Sequence, residues 1–243
     1  MKLVLATGFT GGTGYAPFLT SLTDTMRMLD RAGIEAHFWS TQSAAYVDDM
    51  RNEHVARFLE TDATHLVFLD YDMEWSPEAF TRLITAGEAV VAGTYRLKSM
   101  VMRWTAVPEY DASGDIVGKP RRDGSGHLVL AQGVAMGFTC IKREVFEVMR
   151  DAMPDDWYTM GPPDAPLKCH DWYTRIREGN MHFGEDYAFS KRWKALGGQI
   201  WIDPDITLKH WGLHGWRGNQ HEQWLEEARL RENMPDAVAI AAE

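Results

Sequence analysis

The sequence predicts an α/β fold with a mainly parallel central sheet flanked by helices and a mixed C-terminal half. Three observations lead there. Short apolar runs of strand length alternate with helical hydrophobic periods, strand first, through the opening 95 residues, the order of a sheet covered by helices on both faces. Cap and turn residues stand where each period ends. Beyond Arg96 the alternation gives way to turns and extended segments, which suits antiparallel additions.

Taken in order, residues 2–6 read as a short buried strand and 8–14 as a glycine-rich loop. An amphipathic helix runs from Pro17 to Ala32 and is stopped by Gly33. A second strand covers 34–39. Residues 43–60 carry Ala45, Val47, Met50, Val55, Phe58 and Leu59 at helical spacing. The apolar run His65 to Leu69 is a third strand and ends on Asp70. Ser76-Pro77-Glu78 supplies an N-cap, a first-turn proline and a first-turn acid for a helix to Ala86, and 89–93 is the fourth strand. Later, 111–118 and 121–126 read as turns, and 128–141 as extended segments broken by Gly133 and Gly137. A helix over 143–152 leads into a polar loop rich in Pro, Asp and Trp. Another helix covers 185–196 and stops at Gly197-Gly198. The end comprises a strand over 199–202, an irregular stretch 203–218 and a polar helix 220–232. No repeat or long linker divides the chain, so 1–243 reads as one domain: 1–95, 96–218, and a C-terminal helix and tail 219–243.

Composition narrows the function classes. A formal net charge of -10 disfavours indiscriminate nucleic-acid binding, which depends on clustered Lys and Arg. Glycines interrupt the first strand before a signal-peptide core or membrane span can form, so the expectation is a cytoplasmic protein without a membrane span. The two cysteines, Cys140 and Cys169, have neither metal-ligand nor redox-pair spacing and read as buried thiols. Several of the ten tryptophans stand beside polar residues in the C-terminal half, a composition that serves a core and also a sugar-binding face.

Three pieces carry chemistry. Asp70-Tyr71-Asp72 follows a buried strand, at the end of an α/β sheet where ligands bind. If the chain is still extended, the two carboxylates project to one side and suit Mg2+ or Mn2+, which takes one or two carboxylates with phosphate oxygens and water. Such a triplet also caps helices. Gly184-Glu185-Asp186 opens a helix whose N-terminal dipole favours ionised acids, available as a general base or simply as caps. His210, after the last strand, offers a nitrogen ligand to the same ion.

In this order the pieces resemble the A-type glycosyltransferases, whose fold is Rossmann-like, and especially the family 2-like enzymes with their small bacterial and bacteriophage members. The likeness covers 66–73, Gly137 to Phe146, Gly184 to Phe189, Gly197 to Pro204 and His210-Trp211-Gly212. It implies that residues 1–95 bind the nucleotide and 96–218 the acceptor. Asp72 would bind the metal directly, Asp70 would lie near the ribose or a metal-bound water, and His210 would complete the protein ligands. Arg51-Asn52 would face the nucleotide, with Thr7, Gly8 and Tyr71 at its pocket. The stretch Gly133 to Gly137 would border donor and acceptor. Asp186 would be the catalytic base of an inverting member, with Glu185 holding hydroxyls. The donor implied is a nucleotide-diphosphate sugar, such as a UDP- or GDP-sugar.

A rival reading starts from Thr7-Gly8-Phe9-Thr10-Gly11-Gly12-Thr13-Gly14 and from Tyr187 with Lys191, which together resemble an NAD(P)-dependent short-chain dehydrogenase. Against it, the second strand ends in Phe38-Trp39-Ser40 without an acid for the ribose, and Asp70, Asp72 and the final histidines stay unexplained. For the acceptor, the local basic stretch Tyr95 to Lys98, Arg103 and Lys119 to Arg122 admits a polyanion, including phage-type DNA with a hydroxymethylated base. A carbohydrate acceptor suits the net charge equally well. The stretch also reads as a solvated hairpin.

Overall fold

The computed structural model describes residues 1–9, 12–42 and 46–233, with the side chains of 230–233 left aside. Thr10 and Gly11 of the expected glycine-rich loop, residues 43–45 of the expected second helix and the tail from 234 lie outside the described residues. The first half runs β1 (Lys2–Phe9), α1 (Ala16–Arg31), β2 (Glu35–Gln42), α2 (Val47–Leu59), β3 (His65–Leu69), β4 (Met73–Glu74), α3 (Pro77–Thr85) and β5 (Val90–Gly93). Then come β6 (Ala106–Pro108), β7 (Gly118–Pro120), β8 (His127–Val134), β9 (Phe138–Lys142), α4 (Arg143–Ala152), β10 (Trp157–Met160) and β11 (Leu167–His170). The chain continues with β12 (Ile176–Glu178), β13 (Met181–Phe183), α5 (Glu185–Ala195), β14 (Trp201–Asp203), β15 (Leu208–Trp211), β16 (Gly215–Gly218) and α6 (Gln220–Asn233).

Period-two side chains build the layers. In β1, Leu3 and Leu5 face one cluster while Val4 and Ala6 face the other, and β3 divides in the same way between Val67, Leu69 and Leu66, Phe68. Helices α1 and α3 cover the first face with Phe18, Leu22, Leu29, Phe80 and Leu83. Helices α2, α4 and α5 cover the second with Val55, Phe58, Phe146, Met149 and Phe189. The Ser76 hydroxyl accepts from the Ala79 amide at 3.2 Å and caps α3, and Gly33 ends α1 with φ +67°.

The main sheet runs β2-β1-β3-β9-β5-β14-β8-β6, with β7 also on β8. Strands β1, β2 and β3 are mutually parallel, as are β5 and β14, while β9 lies antiparallel between β3 and β5. The C-terminal half is therefore mixed as expected, and it supplies a central strand as well as the antiparallel β8.

Differences from the sequence reading have local causes. Strand β1 pairs with β2 up to Phe9↔Gln42, so Gly8 lies in the strand. Gly133 belongs to β8, paired with Val107; the break between β8 and β9 falls at 135–137. The polar loop after α4 contains the hairpins β10-β11 and β12-β13. The stretch expected to be irregular holds β15, which pairs with β16 and with β4. Apolar and polar residues alternate only from Ile206 to Lys209, and the histidine and tryptophan that follow break the pattern within β15.

Candidate active site

The C-terminal ends of β1, β3 and β5 and the first turn of α5 come together at one edge of the main sheet, the edge at which an α/β sheet holds its ligands. Arg51, from the first turns of α2, is its buried centre at 2% exposure. Its guanidinium lies over the Phe68 ring, 5.2 Å from the centroid. It donates to Asp70 Oδ1 at 3.3 Å and faces Asp186 Oδ1 at 3.5 Å and Glu185 Oε1 at 4.0 Å. Residues far apart in sequence thus form one ionic cluster around a single buried cation. Burial disfavours the Arg51 charge, but the three acids outweigh it and raise its pKa.

The acids respond unequally. Burial raises the Asp186 pKa to about 7 against the opposing pull of Arg51, and like charge from Glu185 and Asp70 adds to the rise. Asp70 is also raised, again chiefly by burial. Gly137 makes room beside it: a Cβ there would stand 2.6 Å from Asp70 Oδ2 and nearer still to the Tyr95 hydroxyl. The Gly137 carbonyl accepts from the Asp70 amide at 2.9 Å. Gly137→Ala is expected to displace the Asp70 carboxylate and cost about 1–3 kcal/mol of stability, read as a lower Tm; an unchanged Tm with unchanged ligand affinity would contradict the tight fit.

The second acid of the triplet sits in a different environment. The chain turns at 70–73, where the Met73 amide donates to the Asp70 carbonyl at 3.0 Å, so the premise of an extended triplet fails. Asp70 faces Arg51, whereas Asp72 faces His210 and Lys98. Pairing of β4 with β15, Met73 opposite His210, brings the histidine there. His210 Nδ1–H donates to the Arg96 carbonyl at 2.9 Å, and Nε2 stands 3.4 Å from Asp72 Oδ2. Burial would raise the Asp72 pKa, but the contacts with His210 and Lys98 prevail and lower it. Lys98 was noted in the sequence only as part of a basic stretch; its partnership with Asp72 depends on a hairpin that sequence spacing does not reveal.

Among the described residues no three His, Cys, Asp or Glu side chains gather closely enough to hold a metal ion by themselves. Asp72 and His210 nevertheless form an oxygen-and-nitrogen pair, a donor set that fits an ion taking its other ligands from phosphate and water.

The other expected residues are dispersed. Asn52 is fully buried, donating to the Tyr158 hydroxyl and accepting from the Tyr173 amide, both at 2.9 Å; these bonds tie the loop after α4 to α2. Thr7 is buried, its carbonyl 3.3 Å from His54 Nε2. Gly8 packs against Met50. Tyr71 joins an aromatic row at the rim, its ring centroid 6.1 Å from Phe9 and 6.2 Å from Tyr15, which lies 6.4 Å from Trp211.

Two features of the rival readings resolve differently. Burial raises the Tyr187 pKa, the reverse of an activated proton relay, and Lys191 is drawn to Glu178 at 3.0 Å. Part of the basic stretch is committed internally: Lys119 pairs with Glu88 at 2.9 Å, and Arg121, 4% exposed, is locked to the buried Asp203 at 2.6 Å, while Arg103 and Arg122 are exposed. Arg121, expected on a solvated or acceptor-facing hairpin, instead has its carboxylate partner 82 positions away.

No protein-family description and no curated protein matches the chain. Among solved structures, it is similar to A197 from STIV, with a TM-score of 0.50 and 20% identity over 87% of this chain and 86% of that one. That likeness is one of fold. Two further structures align at lower scores. One is the catalytic domain of Drosophila beta1,4galactosyltransferase 7, crystallised with xylobiose, at TM-score 0.45 and 14% identity over 90% of this chain and 70% of that one. The other is S. aureus TarS 1-349, at TM-score 0.44 and 10% identity over 84% and 58%. Among the described residues no helix is long and apolar enough to cross a membrane.

Proposed function

We propose that this chain is a divalent-metal-dependent glycosyltransferase of the A-type fold, moving a sugar from a nucleotide-diphosphate sugar to an acceptor hydroxyl. The supporting observation is the adjacency of two acid sites at the strand ends: Asp70, Glu185 and Asp186 around Arg51, and Asp72 with His210 beside them. Four carboxylates against Arg51 and Lys98 leave the cleft too negative to hold a diphosphate unaided, which is the electrostatic case for Mg2+ or Mn2+. Asp72 and His210 would hold the ion, with Asp70 near the ribose or an ion-bound water. The ion would supply neutralisation of charge on the departing diphosphate.

Asp186 is the proposed base. Its carboxylate takes the acceptor hydroxyl proton as that oxygen bonds to the anomeric carbon, and the bond from that carbon to the phosphate oxygen breaks, leaving a nucleoside diphosphate. Glu185, in the same first turn, would orient sugar hydroxyls, while Gly137 would let the donor approach. Thr7, Gly8, Arg51, Asn52 and Tyr71 remain the proposed nucleotide side, with Asn52 acting through the fold. Residues 1–95 would serve the nucleotide and 96–218 the acceptor, with 219–243 appended as helix and tail. A carbohydrate acceptor is favoured over modified DNA, because Lys119 and Arg121 are committed to internal carboxylates.

A panel of nucleoside diphosphates tests this reading. At least one is expected to raise the Tm when Mn2+ is present, by the equivalent of about 2.7 kcal/mol at a hundredfold excess over Kd. NAD and NADP are expected to leave it unchanged. Stabilisation by NADP alone, or by no nucleoside diphosphate, would sink the proposal.

A further inference from the structure

We infer that Lys98 is a placeholder cation, whose ammonium occupies Asp72 until donor and metal arrive and then moves to the donor diphosphate. The inference rests on the transferase reading above and adds a residue that the sequence motifs do not contain.

The Lys98 ammonium contacts Asp72 Oδ2, the same oxygen that His210 Nε2 approaches at 3.4 Å. It therefore stands on the oxygen that would bind the ion, so ammonium and ion would compete for one carboxylate oxygen. Gly212, beside His210, leaves space for the lysine stem: a Cβ there would come within 3.1 Å of Lys98 Cδ. The stem thus enters the cleft over the β15-β16 turn.

The hairpin around Lys98 divides into a fixed root and a lightly held tip. At the root, Arg96 bridges to Trp104 and its carbonyl accepts from His210 Nδ1–H. At the tip, Met100, Val101 and Met102 are 85%, 61% and 48% exposed, so withdrawal of Lys98 breaks little apolar packing. His210 can then keep its orientation while the neighbouring ammonium leaves. With a divalent ion and an anion bound, Asp72 and His210 would hold the ion, and the Lys98 ammonium would be free to pair with a phosphate oxygen.

This exchange predicts weak metal binding to the nucleotide-free protein, since the competent state is populated only when Lys98 is away. The test is Mn2+ binding, followed by the loss of the free-ion electron paramagnetic resonance signal, in wild type and in Lys98→Met. The variant keeps the stem length and removes the charge at a partly exposed position, and its Tm serves as the folding check. The expected result is about tenfold tighter Mn2+ binding to nucleotide-free Lys98→Met, with about tenfold weaker binding of the best nucleoside diphosphate at saturating Mn2+. Unchanged or weaker Mn2+ affinity in the variant overturns the inference. So does wild-type nucleotide binding that is as tight in chelator as in Mn2+ and is lost in Lys98→Met, since the ammonium would then be the permanent phosphate partner. Failure of both proteins to bind any nucleoside diphosphate counts against the transferase reading itself, whereas intact nucleotide binding with unaltered Mn2+ affinity counts against Lys98 alone.

Discussion

Asp186→Asn is expected to lower turnover by about 10²–10⁴-fold, the range that general-base catalysis contributes, while leaving the Mn2+-dependent affinity for nucleoside diphosphate within a few-fold of wild type. The amide nearly preserves shape and cannot accept the acceptor proton. Steady-state rates together with equilibrium binding check the split; retention of full turnover would remove Asp186 from its proposed role. The wild-type pH profile provides an independent reading. Burial raises the Asp186 pKa to about 7, so the ionised base is lost as pH falls, and the rate is expected to decline about tenfold per unit below that value. Stability moves oppositely. An aspartate raised above its unfolded value of about 3.9 favours the protonated native state, so this residue's contribution is present below that value and lost as pH rises towards 7.

Arg51→Met is expected to produce the largest loss of stability, about 3–5 kcal/mol, the range for removing one partner of a buried ionic group. Three acids now converge on its guanidinium. Without it, Asp70 and Asp186 lose their opposing charge and their pKa values climb further, so the variant is expected to regain part of its stability in acid. Chemical denaturation at pH 5 and pH 8 checks this: a larger deficit at pH 8 is expected, and an equal one would mean that the cluster is not held by charge. Turnover should fall as well, because protonated Asp186 cannot serve as base.

How much of this was legible in the sequence differs by element. Where one segment makes its own pattern, the reading was close: His65 to Leu69 and Arg143 to Ala152 appear with the expected bounds, and Ser76 caps its helix as the Ser-Pro-Glu signature predicts. The acids Asp70, Asp72 and Asp186 were visible because strand ends and helix starts are local features. Their contacts with Arg51 and Lys98 were not. Arg51 reaches Asp186 across 135 positions, and Lys98 meets Asp72 through a hairpin whose exposed tip has no hydrophobic period. The antiparallel placement of β9 and the pairing of β15 with β4 were invisible because register is set between segments. A fully buried polar residue such as Asn52 looks no different in sequence from one that faces a ligand.

The position of β9 bears on how the chain reaches its native state. With β9 absent, β3 and β5 would each present an unpaired edge in the middle of the future sheet, the kind of edge that templates association between chains. A nascent chain exposes those edges until residue 142 has emerged, and joining them requires contacts spanning 47 to 77 positions, a non-local closure of the kind that slows folding. The opening 95 residues therefore hold β3 and β5 but lack the strand that joins them.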